Sequence, residues 1–134
     1  MIFMDTGYLI ALLNSRDELH PRAQAWAEQL DGSLLLTDYI VWETVNFFSS
    51  PTEKPKAHAL VTQLRADAAF EIVPATPALF DTGLRLHRER ADKAWSLTDC
   101  ISFLVMRECG VSQALAFDQH FEQAGFEALL RRNP

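Results

Sequence analysis

The chain has 134 residues, 49% of them hydrophobic and 22% charged, a balance that suits one globular domain spanning residues 1–134. Its formal net charge of −6 argues against broad electrostatic attraction to nucleic acid, unless some of its carboxylates are gathered to hold cations. No apolar run approaches the ~20 residues that span a bilayer, and the N-terminus lacks the basic flank of a signal peptide, so no membrane association and a cytoplasmic location are expected. Cys100 and Cys109 read as reduced core thiols rather than a metal-ligand pair.

In chain order, Met1 to Met4 is an apolar strand that stops at Asp5-Thr6-Gly7, and the spacing from Tyr8 to Asn14 suits a helix. A second helix is expected from His20 or Pro21 to Leu30, ended by Asp31-Gly32. Ser33 to Leu36 reads as a buried strand, with Thr37-Asp38 starting a helix from Tyr39 to Phe48. That helix is apolar nearly all round and is expected to be central and deeply packed. A loop at 49–55 precedes a helix from Lys56 to Ala69, a strand from Phe70 to Val73, and a helix opened by Thr76-Pro77. Ser96 begins a further helix that Gly110 closes. Ala114 to Phe117 forms a fourth strand, Asp118 to Gln123 a helical turn, and Phe126 to Leu130 an edge strand. Alternating strands and helices call for an α/β/α sandwich: a mainly parallel sheet covered on both faces.

In such sheets ligands sit outside the carboxyl ends of the strands. Asp5 and Asp118 each follow a strand, and Asp99 lies in the first turn of the helix before the last long strand. Each has a structural explanation, because Asp5 and Asp118 can cap helices and Ser96-Leu97-Thr98-Asp99 has the spacing of a capping box. Glu43 sits mid-helix, where no cap is needed and a lone buried carboxylate is costly. A divalent cation would make sense of all four, since Mg²⁺ and Mn²⁺ prefer carboxylate oxygens and bound metal can activate water against a phosphodiester. Without metal, clustered carboxylates repel, and at least one is expected to have a raised pKa.

The segments Ile2-Phe3-Met4-Asp5-Thr6, Trp42-Glu43-Thr44-Val45, Ser96-Leu97-Thr98-Asp99-Cys100 and Phe117-Asp118-Gln119-His120-Phe121 together resemble PIN domains, most closely toxins of the VapC type. The resemblance covers essentially the whole chain, in order. It implies a Mg²⁺- or Mn²⁺-dependent endoribonuclease, the toxin of a type II toxin–antitoxin pair, in which Asp5, Glu43, Asp99 and Asp118 are the catalytic and metal-binding residues. It further implies an RNA substrate, a homodimer, and a cognate antitoxin that blocks the acidic pocket. Ala116 departs from the pattern, since many relatives carry threonine two residues before the last aspartate. Thr6 and Ser96 are candidate hydroxyl donors, with capping the favoured role for Ser96.

Two alternatives keep the fold: a housekeeping RNA-processing nuclease, and a non-catalytic binding or regulatory module. The full set of four acids speaks against the second. A phospho-acceptor receiver domain needs an acidic pair at the first strand and a lysine after a late one, but Asp5 stands alone and the lysines are Lys54, Lys56 and Lys93. The absence of a Gly-rich GK[ST] segment excludes a P-loop nucleotidase. His20, His58, His87 and His120 show no ligand spacing, and His120 is expected to help pack the short helix beside Phe121. Arg85, Arg88, Arg90 and Lys93 read as a solvated helix face, with guidance of a phosphate backbone as the alternative. Trp26, Trp42 and Trp95 are core or interface candidates, and Trp95 is the one considered for base stacking.

Overall fold

The computed structural model describes residues 1–134. The chain runs β1 (Ile2–Met4), α1 (Thr6–Leu13), α2 (His20–Gln29), β2 (Leu34–Thr37), α3 (Asp38–Phe47), α4 (Lys54–Ala66), β3 (Phe70–Val73), α5 (Pro77–Glu89), α6 (Leu97–Glu108), β4 (Gln113–Leu115), α7 (Gln119–Gln123) and β5 (Glu127–Ala128), then a 3-10 turn at Leu129–Arg131. The five strands are all parallel, in the order β3-β2-β1-β4-β5.

This order positions the site. The chain steps outward from β1 through β2 to β3, then crosses back to β4 on the other side of β1. Right-handed crossovers therefore send the helices of the two halves to opposite faces. Helices α1, α2, α3 and α4 accordingly pack among themselves, as do α5, α6 and α7. The chain diverges between β1 and β4, opening a crevice at their carboxyl ends. Coverage of both faces explains why β2 is buried along its whole length and why Phe3, Met4 and Leu115 are almost inaccessible.

Local chemistry sets the helix starts. The hydroxyls of Thr37 and Thr76 accept from the backbone N–H of Ile40 and Leu79, and Pro77 opens α5. Ser96 and Asp99 form the full reciprocal capping box expected of them. Between α5 and α6 the approach is close at buried Gly83, where an added Cβ would lie 2.4 Å from Cγ1 of Ile101.

The expected edge strand Phe126 to Leu130 is only Glu127–Ala128 before a 3-10 turn, and three expectations about burial need correction. Helix α3 is not buried all round: only Ile40 and Thr44 are buried within it, while Trp42 and Phe47 are 65% and 53% exposed. As an outer-layer helix it covers the sheet with one stripe, with Val41 and Val45 half-buried at its margin and Trp42 and Phe47 turned outward. Trp95 is not available to a base. It is buried edge-on against Phe103, its indole N–H donates to Gln123, and the Arg90 guanidinium covers its ring. Of the two free thiols, Cys100 is buried but Cys109 is exposed.

Candidate active site

The four acids come from four elements, and Asp99, Glu43 and Asp118 all lie near enough to Asp5 to act on its charge. Asp5 occupies the N-cap position of α1, directly beyond β1, yet its side chain makes no capping hydrogen bond. Asp118 caps α7, with Oδ1 accepting from the His120 N–H at 3.0 Å. Asp99 stands in the first turn of α6, with Oδ2 accepting from the Ser96 N–H at 3.0 Å. Glu43 lies mid-way along α3, half-buried, and Oε1 accepts from the Thr6 hydroxyl at 2.5 Å. The capping explanation thus holds for Asp99 and Asp118 through one oxygen each, and fails for Asp5. Thr6 is a hydroxyl donor to the site, whereas Ser96 is a cap.

Asp5 is the electrostatic centre. Its pKa is raised to about 7, first by desolvation and then by the negative charges of Asp99, Glu43 and Asp118; a backbone hydrogen bond from Thr6 opposes them. A raised carboxyl was expected from repulsion among the acids; here burial is the larger cause and the neighbouring charges add to it. Asp5 and Asp118 line a cleft of roughly 690 Å³ with Gly7, Phe47, Phe117 and Arg131 among its walls. Glu43 borders a smaller depression of roughly 280 Å³ with Tyr39, Trp42, Asn46, Phe80 and Thr98. No three of the acids are drawn together tightly enough to cage an ion directly. The donor set is nevertheless all carboxylate and hydroxyl, and a buried carboxyl pressed by three negative neighbours fits a cation that retains much of its own water, as Mg²⁺ does.

Two side chains at the site were missed. The Nδ1 atom of His120 lies 3.0 Å from Oδ2 of Asp99 and 3.3 Å from Oδ1 of Asp118, so it bridges the two acids rather than merely packing. Arg131 lines the cleft wall: it donates to the Phe117 carbonyl at 2.9 Å, pairs with Glu122 at 2.8 Å, and lies over the Phe117 ring. Adjacency of His120 to Asp118 was the only signal for the first. Nothing local marked Arg131. In the basic stretch, Arg90 is spent on Asp92 and Trp95, while Arg85 and Arg88 are exposed on α5.

An open parallel sheet with acids gathered at the carboxyl end of its switch point defines the class, and residues 2–127 match the PIN domain; the chain belongs to that family. Among curated proteins it is 28% identical over 127 residues to the 23S rRNA-specific endonuclease VapC20 of Mycobacterium tuberculosis, covering 94% of this chain and 95% of that one. The crystal structure of Mycobacterium tuberculosis VapC20, a sarcin–ricin loop cleaving toxin, superposes with a TM-score of 0.84 at 25% identity, over 94% and 96% of the two chains. FitAcB from Neisseria gonorrhoeae shares the fold, with a TM-score of 0.66 at 20% identity over 96% of each chain. No helix is long and apolar enough to cross a membrane.

Proposed function

We propose that this protein is a divalent-metal-dependent endoribonuclease acting as the toxin of a toxin–antitoxin pair. The observation that carries the reading is Asp5: a carboxyl left free of capping duty at the sheet's switch point, held near pKa 7 by burial and three further acids. Likeness to VapC20 over nearly the whole of both chains supports the same activity.

Asp5, with the oxygens of Asp99 and Asp118 not used in capping and the Glu43 carboxylate, would hold Mg²⁺ or Mn²⁺. When bound, the metal supplies an acidified water and charge neutralisation on the phosphoryl oxygens. The protein's part is orientation. Thr6 fixes Glu43, Ser96 and His120 fix Asp99, and the α7 N-terminus fixes Asp118. These three acids are thereby turned with one oxygen each uncommitted, so little reorganisation is needed when the phosphodiester arrives.

Ribosomal RNA is the first substrate to test, by analogy with VapC20. The experiment is end-mapping of ribosomal RNA incubated with the protein in Mg²⁺ or EDTA. Discrete metal-dependent ends are expected, and ribosomal RNA left intact beside a cut mixed-RNA pool would move the substrate elsewhere.

The same reading includes an antitoxin and a second copy of the chain as partners. For the second copy, the support is exposed apolar side chains on α3 and α5: Trp42, Phe80 and Leu84 are 65%, 41% and 42% exposed, and Trp42 and Phe80 border one depression. Sedimentation of wild type as a dimer and of Trp42→Glu as a monomer is the expected result.

A further inference from the structure

Phe47 closes α3 with its ring 53% exposed, and it is shared by two cavities. One is the acid cleft with Asp5 and Asp118. The other, of roughly 480 Å³, is lined by Asn14, Ser15, Arg16, Thr52, Glu53 and Lys56, with Phe47 its one apolar wall. Arg16 and Lys56 are both exposed, and neither forms an ion pair with a carboxylate; Arg90, Arg131 and Arg132 do. The single acid there, Glu53, is engaged by the Ser50 hydroxyl at 2.9 Å. Arg16 and Lys56, the latter with its ammonium also over the Phe48 ring, stand beside the Asn14 amide and the Ser15 and Thr52 hydroxyls and make a donor-rich hollow suited to a phosphate.

From this juxtaposition we infer that Arg16 and Lys56 bind an RNA phosphate next to the scissile one, with the intervening base stacked on Phe47. The inference rests on the ribonuclease reading and names how the substrate is held. A chain of net charge −6 gains little from long-range attraction to RNA, so cations placed close to the acids matter more than total charge. The exposed aromatic between the two hollows offers the stacking face that single-stranded RNA uses. A strand lying from the acid cleft over Phe47 to Arg16 and Lys56 places one phosphate at the metal ligands and holds its neighbour by charge.

The test is fluorescence anisotropy with a fluorescein-labelled single-stranded RNA of randomised sequence, titrated over a range of KCl at constant Mg²⁺. Asp5→Asn serves as the background in which the probe is not cut. In single-stranded binding each neutralised phosphate contributes about 0.7 to the slope of log K against log salt, so Arg16→Gln and Lys56→Gln should each flatten the slope by about that amount. Phe47→Ala should weaken binding about tenfold and leave the slope unchanged, because stacking releases no counterions. Arg88→Gln, on exposed α5, should change neither. All four residues are exposed, and circular dichroism checks the fold of each variant, above all Phe47→Ala, which removes an edge-on contact with buried Phe48. A slope unaltered by both Arg16→Gln and Lys56→Gln, or one altered only by Arg88→Gln, overturns the subsite. Wild-type protein that leaves a mixed RNA pool uncut in Mn²⁺ overturns the ribonuclease reading beneath it, a result distinguishable from the first.

Discussion

His120 donates from Nδ1 to Oδ2 of Asp99 across 3.0 Å, joining α7 to α6 at the rim of the acidic cleft. An ionised carboxylate can only accept, so Nδ1 carries the proton. The same oxygen also accepts from the Ser96 N–H, which leaves Oδ1 as the atom that can serve a metal. Groups that orient a metal ligand in this way commonly contribute about 10–100-fold to metal affinity. His120→Phe, which keeps a ring but no donor, should raise by that factor the Mn²⁺ concentration giving half-maximal thermal stabilisation. His120→Asn, whose amide can donate from a similar place, should restore most of it. An unchanged midpoint in His120→Phe would reduce the contact to packing.

The Asp5 carboxyl makes metal-free stability depend on pH. Its folded-state pKa of about 7 stands above the ordinary aspartate value of 3.8. Between those values the folded protein holds a proton that the unfolded chain has lost. Stability is therefore fully present below about pH 4 on this account and falls as pH rises through about 7. In EDTA, Asp5→Asn should flatten this part of the melting profile and melt above wild type at alkaline pH. Added Mn²⁺ should reverse the order, stabilising wild type by mass action. A metal-free wild type that gains stability across this window, with Asp5→Asn melting lower, would show that Asp5 lacks the burial and negative surroundings assigned to it.

Gly83 is a packing requirement rather than a flexible joint. It is buried on α5, and any Cβ there meets Ile101, which is itself only 1% exposed on α6. Gly83→Val should cost about 1–3 kcal/mol by overpacking, read as a lower urea midpoint with the m-value unchanged. Because α6 carries Asp99, metal affinity should fall with it. A wild-type midpoint would mean that the two helices can separate freely.

Much of this arrangement is written locally. The apolar run ending at Asp5 marks β1 and its carboxyl end, and Ser96 with Asp99 announces the start of α6 to the residue. β4 proved shorter than the run Ala114 to Phe117 because its pairing with β1 ends at Met4 and Leu115, where β1 gives way to α1. The α3 helix was misjudged because composition reports how apolar a helix is, but only the tertiary layer decides which stripe is covered. Phe47 was thus expected inside and Trp42 in the core or at an interface, and both side chains are exposed. The His120–Asp99 bond spans 21 residues and two elements, and the meeting of Phe47, Arg16 and Lys56 joins three separate segments. No local spacing encodes such encounters; they follow from the order in which the strands assemble.

The measurement that bears most directly on the central claim is single-turnover cleavage of RNA by wild type and by Asp5→Asn, Glu43→Gln, Asp99→Asn and Asp118→Asn, each with Mn²⁺ and with EDTA. Wild type should cut only with metal, and each variant should lose on the order of 100-fold or more, as expected when a ligand that positions a transition-state charge is removed. Cutting that persists in EDTA, or that survives all four substitutions, would contradict that claim.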